Sequence, residues 1–548
     1  MAQIEMIDAA KAGGATNNAQ GDENRVIQVV DNPQLENKNG TTDTILDKGG
    51  KRKRLYWIDW CRTQSVLNVV LGHIWTDVLL QTGFDRDYPD RMKPPWDERS
   101  RMCDYGVDHG TLHTIPMFFL LSGFLNSYTF RAHKKNGVKG FIMKRVMRLL
   151  PPWIFGGLLF SFSQMGFMNK EFTVDYFFFS HLWFIWALAA FTAGCLPYHI
   201  LLRTLVMDDK EVSVSLLREF MKNEKLVAAE QDSEQTRVCG LKKQLYLPMI
   251  IGGNILLVTL YGIVWDLLFD ILGSGRIWWL LHLPIISVLT PALVWVGTKV
   301  RSLSTKDNFK SMMFLADCLQ VLAAFFIPLA MFFILGAHDA CPNSKCSQNT
   351  FFTVNLFYSI TVAISCNIAG ITFGEVREQC ERVISKTSWT KFLAVFALLM
   401  SWAWPFFTYW GWKYMKGSGM LKMYQYESNT NVTEVPDPLY KNGGGIMYAQ
   451  VRMWFWILSM LLFAKAYCDH LINKHFHAHM TQSGMVFYLI HRCFTPILVK
   501  SFLAGGTTDI TTLWLVVSIV TYVLCFIVYG IFFSNKYTRS MFGLIPVK

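Results

Sequence analysis

Residues 56–80 read YWIDWCRTQSVLNVVLGHIWTDVLL, and this stretch decides the class of fold. About 20 consecutive, predominantly apolar residues form a helix long enough to cross the hydrocarbon core of a bilayer. This one nevertheless carries Asp59, Arg62, His73 and Asp77. Charged side chains are costly inside a membrane, so we expect the helix to face a polar interior and its polar residues to be functional candidates.

Apolar segments of similar length recur along the chain. Hydrophobic residues make up 52% of the sequence and charged residues 17%, whereas a soluble globular chain carries about 25% charged residues. We therefore predict an all-α fold, a polytopic transmembrane helix bundle of about twelve spans. The predicted spans are 56–80, 112–130, 149–167, 181–202, 246–270, 277–298, 311–336, 352–375, 392–412, 448–469, 483–503 and 512–533.

The polar segments outside these spans define the predicted domains. Residues 1–54 are polar, lack an apolar signal segment and end in KRKR, so we expect a disordered cytosolic tail. Residues 55–535 form the multi-span membrane domain, with a mixed-charge cytosolic insert at about 203–245 that is expected to be a solvated helix or a flexible linker. Residues 536–548 are a second cytosolic tail.

Loop charge predicts the orientation. Lys and Arg number 19 in the 74 residues of short loops on the side of the N-terminus and 12 in the 106 residues on the other side. Cytosolic loops are the basic ones, which places both termini in the cytosol and leaves the organelle open. The sequon at Asn431 and the pair Cys341 and Cys346, which could form a disulfide, fall on the opposite side. The net charge of +12 is then explained by topology, and we expect no nucleic-acid partner.

Spacing within the first span is informative. Arg62 and His73 are eleven residues apart, so they share one helix face and are separated by about 16 Å along the axis. Asp59 is placed to pair with Arg62, and Asp77, one turn after His73, could orient its imidazole. A purely structural polar network is the alternative, but four such residues along one stripe favour function.

A second polar region follows the second span. The loop at 131–148 holds seven Lys or Arg and no acidic residue, and it ends with Arg145 and Arg148 just before Pro151. A basic mouth beside a polar cavity suits an anionic, phosphate-bearing ligand. The alternative is that this charge only sets topology, although the Arg pair at a fixed offset before the prolines is more specific than loop charge alone.

Together these stretches resemble the acyltransferase type 3 family of integral membrane proteins. Five motifs occur in family order over about 430 residues, and the ordered set is more specific than any one motif. The matching residues are Arg62 with His73; Phe118, Phe119, Ser122, Gly123 and Phe124; Arg145, Arg148, Leu149 and Pro151; His181 to Phe184; and Ser483, Tyr488, Leu489 and His491. The resemblance implies a core of about ten spans, to which this chain adds helices.

The resemblance also implies a reaction, the transfer of an acyl group, often acetyl, from acyl-CoA as co-substrate to a hydroxyl of a carbohydrate, lipid or other acceptor. His73 would be the general base, since a neutral imidazole suits that role, with Arg62 and Asp77 as the other catalytic candidates. Close helix packing is the preferred interpretation of the small pair Ser122 and Gly123. The candidates for binding acyl-CoA are Arg145, Arg148, Lys144 and Ser122.

Two other classes of function stay open. Many bacterial members of that family have an acidic residue a few positions after the Trp-Phe element, and this chain continues from Trp183 and Phe184 without one. A catalytically silent subunit that scaffolds membrane-protein partners, or a transporter, would also fit a polar helix bundle. We predict no metal site, and we interpret His475, His477 and His479 in the tract HFHAH as ordinary loop residues.

Overall fold

The computed structural model divides into two units, residues 1–54 and 55–548. The first unit lies outside the residues that the structure describes, as do the predicted span 246–270, Cys341, Cys346 and Asn431. The described residues are 55–82, 114–132, 137–168, 183–202, 237–238, 241–242, 289–301, 303, 310–326, 365–385, 391–401, 403, 443–469, 474–507, 509–542 and 544.

Helices dominate the described residues. They are α1 Tyr56–Gln81, α2 Thr114–Ala132, α3 Gly137–Met168, α4 Trp183–Gly194, α5 Leu196–Leu201, α6 289–301, α7 Lys310–Val321, α8 365–375, α9 Arg377–Ser385, α10 391–401, α11 Gly443–Tyr467, α12 Lys474–Ala504, α13 Ile510–Ser534 and α14 Lys536–Met541. A π-helical turn, Leu322–Phe326, continues α7. In the predicted insert, β1 Arg237–Val238 pairs antiparallel with β2 Leu241–Lys242.

Apart from this pair of two-residue strands, the described part is helical, which confirms the predicted class, whereas the number of spans stays a prediction. Three helical segments are long and apolar enough to cross a membrane: Gly140–Ser163, Ala478–Ala504 and Ile510–Ser534. Helix also occupies part of every other predicted span within the described residues. The predicted C-terminal tail, by contrast, begins with the short helix α14.

Helices α1 and α12 run parallel in a fixed register. His73 contacts His491 and Asp77 contacts Thr495, and each pair is separated by 418 positions in the chain. Val66 and Gly484 lie against each other at the same offset. The register therefore holds over three helical turns, from Val66 to Asp77.

Helix α13 runs antiparallel to α1 and is bonded to its backbone. The indole of Trp514 donates to the carbonyl of Leu71 at 3.3 Å. Eight residues further along α13, the hydroxyl of Tyr522 donates to the carbonyl of Leu67 at 2.7 Å. Trp75 and Trp514 meet edge to face, with 5.7 Å between ring centroids. These contacts hold the helix that carries His73 against α13.

Helices α2 and α8 also run parallel, and glycines allow their backbones to touch. A Cβ added at Gly370 would lie 1.9 Å from the carbonyl oxygen of Leu120, and one added at Gly123 would lie 2.1 Å from that of Asn367. The side-chain amide of Asn367 donates to the carbonyl of Phe119 at 3.2 Å. The close packing expected at Gly123 is therefore confirmed, since small residues let membrane helices approach in this way.

Candidate active site

The polar stripe of α1 meets a second histidine on α12. The Nδ1 atom of His73 lies 2.8 Å from Nε2 of His491, a hydrogen-bond distance. His491 is fully buried and His73 is half-buried. The other nitrogen of His491, Nδ1, lies 2.9 Å from the carbonyl oxygen of Phe487, one turn earlier on α12. Two imidazoles that are distant in sequence thus form a hydrogen-bonded pair.

Asp77 bonds to α12 instead of orienting His73. Its carboxylate accepts a hydrogen bond from the guanidinium of Arg492 at 3.0 Å and another from the hydroxyl of Thr495. The partner of His73 Nδ1 is His491, so the expected contact between Asp77 and the imidazole is replaced by an ion pair between helices. The physical reason is that Arg492 offers the buried carboxylate a full positive charge, which a neutral imidazole does not.

Arg62 has the partner that the spacing predicts. Its guanidinium lies 4.0 Å from the Asp59 carboxylate, which is three residues earlier on α1. The charges of Arg62 and Arg148 both act on Arg145, and those of Arg62 and Asp59 act on Arg148. Three arginines and one carboxylate therefore lie close enough for their charges to interact, and together they carry a net positive charge.

Within this arginine group, Arg145 is held by contacts with two other side chains. Its guanidinium donates to the hydroxyl of Thr129 on α2 at 2.8 Å and lies over the ring of Phe141, 5.8 Å from the centroid. Arg148 and Lys144 are exposed on α3. Ser122 is half-buried on α2. Their proposed contacts with acyl-CoA stay predictions.

Aromatic contacts join motifs that are far apart in sequence. Phe184 on α4 packs on Phe119 of α2 at 5.1 Å between centroids and on Tyr488 of α12 at 5.6 Å. Tyr488 in turn lies 6.2 Å from the His491 ring, which bonds His73. Side chains of the Phe-Phe, Trp-Phe and Tyr-Leu-x-His motifs therefore form a continuous series of contacts that ends at His73. His181 lies outside the described residues.

A second buried polar cluster joins α2, α5 and α8. The hydroxyl of Ser127 donates to the carboxylate of Glu375 at 2.5 Å, and Nδ1 of His199 lies 4.0 Å from the same oxygen. The His199 ring stacks on Phe130, with centroids 4.9 Å apart. All three polar residues are buried. The contact between Ser127 and Glu375 ties together the two helices that cross through their glycines.

Sequence reasoning missed Arg492, and it gave His491 no role beyond the motif. An arginine within an apolar segment requires a partner, and the only partner predicted for the Asp77 carboxylate was a neutral imidazole, so this pair was a recoverable signal. For Glu375, the signal was a carboxylate at the last residue of a predicted span.

The tract HFHAH begins α12 rather than lying in a loop. His479 bonds to the hydroxyl of Tyr529 at 2.8 Å through its Nδ1, whereas the side chains of His475 and His477 are outside the described set. No group of three or more potential metal ligands is found among the side chains that the structure describes.

Comparison with known proteins identifies the first part of the membrane domain. A family model described as an acyltransferase domain matches residues 55–206. The matched segment is that of the acyltransferase type 3 family. This segment contains α1 to α5, and with them His73 and the arginines Arg62, Arg145 and Arg148. The resemblance inferred from the motifs is confirmed there, and it supports a membrane acyltransferase.

The partners of His73 and Asp77 lie beyond the matched acyltransferase segment, on α12. Searches among curated proteins and among solved structures find no match to the chain.

Proposed function

We propose that the protein transfers an acyl group, with acetyl the first candidate, from acyl-CoA to a hydroxyl of a carbohydrate, lipid or other acceptor. The observation that carries this proposal is the family match over residues 55–206, which contains the histidine and the arginines that acyl transfer would use. The second support is the half-buried imidazole of His73, which bonds to the buried His491.

In the proposed reaction, His73 takes the proton of the acceptor hydroxyl while the oxygen forms a bond with the thioester carbonyl carbon. Collapse of the tetrahedral intermediate then breaks the carbon–sulfur bond. The proton on His73 passes to the departing CoA sulfur, so the histidine ends in its starting state. The products are the acylated acceptor and free CoA thiol, and no other reactant is required.

The arginine group suits the nucleotide end of CoA. Guanidinium groups bind phosphate through paired hydrogen bonds, and Arg145 is already held in place by Thr129 and Phe141. Arg62 and His73 are about 16 Å apart along α1, so the thioester can reach the imidazole only through a long, flexible arm. The pantetheine of CoA provides such an arm.

The proposal is tested with the full chain purified into lipid nanodiscs. Labelled acetyl-CoA and longer acyl-CoAs are offered with a panel of sugar and lipid hydroxyl acceptors, and both CoA thiol release and label transfer are measured. We expect acceptor-dependent transfer by the wild type. His73→Gln should lower the rate by about 10²–10⁴-fold, the usual contribution of a general base, while acyl-CoA binding and thermal stability stay close to those of the wild type.

His479→Gln is the matched control, because His479 lies on α12 but bonds to Tyr529 instead of His73. Its rate should equal that of the wild type. A wild-type protein that neither binds acyl-CoA nor releases thiol with any acceptor would contradict the proposal and favour a transporter or a silent scaffold. Full turnover by His73→Gln would contradict the assignment of the base.

A further inference from the structure

The two imidazoles of the His73 and His491 pair are edge to edge, not face to face. Their planes differ by 7°, and their centroids are 5.0 Å apart. The two nitrogens are much closer, at 2.8 Å, so they lie between the ring centres. Rings stacked face to face would keep their atoms about 3.5 Å or more apart, so the contact is an in-plane hydrogen bond, the geometry that such a bond requires.

The backbone of α12 fixes the direction of this hydrogen bond. The carbonyl of Phe487 can only accept, so Nδ1 of His491 carries a proton and donates to it. In a neutral imidazole the other nitrogen is then an acceptor, so Nε2 of His491 accepts from Nδ1 of His73. A neutral His73 whose proton is on Nδ1 has its basic lone pair on Nε2.

We propose, on the basis of the acyl transfer set out above, that His491 is a positioning residue that makes Nε2 of His73 the general base. The carbonyl of Phe487, His491 and His73 form a relay of two hydrogen bonds that selects one tautomer and fixes the plane of the His73 ring. When Nε2 takes the acceptor proton, Nδ1–H keeps its bond to His491, so the imidazolium is held in the same orientation.

This relay uses a neutral partner where many catalytic histidines use a carboxylate. Among the residues that the structure describes, Asp77 on α1 and Arg492 on α12 are the charged groups next to the pair along these helices, and they are bonded to each other. Asp77 therefore compensates Arg492, and the contact at hydrogen-bond distance makes His491 an acceptor for Nδ1. The constant register of α1 against α12 keeps the two nitrogens at this distance.

The first test replaces His491 with residues that differ only in what they offer Nδ1. His491→Gln keeps a neutral acceptor and should retain most of kcat. His491→Leu removes the acceptor and should lower kcat by about 10²-fold, the cost of a misplaced catalytic group, with KM for acyl-CoA little changed. His491→Glu supplies an anionic acceptor that stabilises the imidazolium, so the acid limb of kcat/KM should move to higher pH.

The second test asks whether His491 acts only through His73. If it does, the double variant His73→Gln with His491→Leu should be no slower than His73→Gln alone, because residues that act as a unit lose their effects together. His479→Gln is again the control and should leave both kcat and the pH profile unchanged. A wild-type kcat and profile in His491→Leu, or additive losses in the double variant, would overturn the proposal.

A third measurement does not depend on turnover. Solid-state NMR of the full chain in bilayers with ¹⁵N-labelled histidine distinguishes protonated from bare ring nitrogens, and the signals that disappear in His73→Gln belong to His73. We expect a protonated Nδ1 and a bare Nε2 for neutral His73. The opposite tautomer would overturn the relay even in an active enzyme. Conversely, an inactive wild type with the expected tautomer would refute the acyltransferase proposal and leave the relay standing.

Discussion

Asp77 and Arg492 form an ion pair between α1 and α12, with Thr495 as a third partner of the carboxylate. Asp77 is buried and Arg492 is 22% exposed at its side chain. A charge that loses its partner in such a place keeps the cost of its desolvation. We therefore assign the pair to stability: it holds the register on which the histidine contact depends.

Asp77→Asn should accordingly destabilise the protein. Breaking a fully buried pair costs about 3–5 kcal/mol, and partial exposure of Arg492 should reduce the loss below that range. Thermal unfolding in detergent measures the effect. The double variant Asp77→Asn with Arg492→Gln should recover part of the stability, because no unpaired charge remains. If Asp77→Asn shifted the pH profile of transfer without lowering the melting temperature, the residue would act on His73 after all.

At the level of elements, the crossing of α2 and α8 depends on glycine. The added Cβ at Gly370 would overlap the Leu120 carbonyl, a backbone atom that cannot rotate away. Gly370→Ala should therefore push the helices apart and stretch the bond between Ser127 and Glu375, costing about 1–3 kcal/mol or more as overpacking does. The melting temperature measures this loss.

The matched control for this crossing is Gly166→Ala on α3, where an added Cβ meets no atom within 4 Å. It should leave the melting temperature unchanged or raise it slightly, since alanine favours helix. Equal effects of the two alanines would show that the crossing has room for a methyl group.

The arginines of α1 and α3 lie within range of one another's charges, and their predicted role is to bind acyl-CoA. Arg145→Ala with Arg148→Ala should weaken acyl-CoA binding, and the affinity of the wild type should fall with rising salt because charge attraction is screened. Lys at both positions should restore only part of the affinity, since lysine lacks the paired donors of guanidinium. The matched control is Arg301→Ala on α6, whose guanidinium pairs with Asp317. If the affinity for acyl-CoA were unchanged in the double Ala variant, the two arginines would only set the orientation of the chain in the membrane and would not bind the co-substrate.

At the scale of the whole molecule, relative helix directions agree with the predicted order of spans. The first and eleventh predicted spans contain α1 and α12, which run parallel, and the twelfth contains α13, which runs antiparallel to α1. The second and eighth contain α2 and α8, which are parallel. When successive spans cross a membrane in alternating directions, two odd-numbered or two even-numbered spans are parallel, and an odd-numbered span is antiparallel to an even-numbered one. Which side is cytosolic stays a prediction.

We expect a C-terminal label and Asn431 to lie on opposite sides of the membrane. The test adds an impermeant reagent on the side of the membrane where Asn431 is glycosylated. If the C-terminal label is protected from that reagent, the result agrees with the predicted orientation. A label and a glycan accessible from one side would contradict it. Asn431→Gln is the control that assigns the glycan.

The spacing of residues along the sequence predicted a contact within one helix. The contacts between helices depend instead on how α12 is aligned with α1. Asp59 and Arg62 are three residues apart, which predicts that they pair, and the structure contains this ion pair. The same reasoning placed Asp77 beside His73, but a side chain one turn away competes with groups on neighbouring helices, and Arg492 is the stronger partner for a carboxylate. Which residue of α12 faces His73 depends on how two distant helices slide past each other, and no local pattern fixes that.

The polar contacts between α1 and α12 join residues that are 418 positions apart, and this separation has a consequence for biosynthesis. At about 5–20 residues per second, a ribosome that has made α1 needs on the order of 20–80 s more to make α12, whose Arg492 neutralises Asp77. Throughout that interval the Asp77 carboxylate would face the membrane without Arg492. The nascent first helix therefore requires a protected, hydrated holding place, such as the insertion channel or a chaperone, until the end of synthesis. Truncated chains that lack α12 should be retained there and degraded.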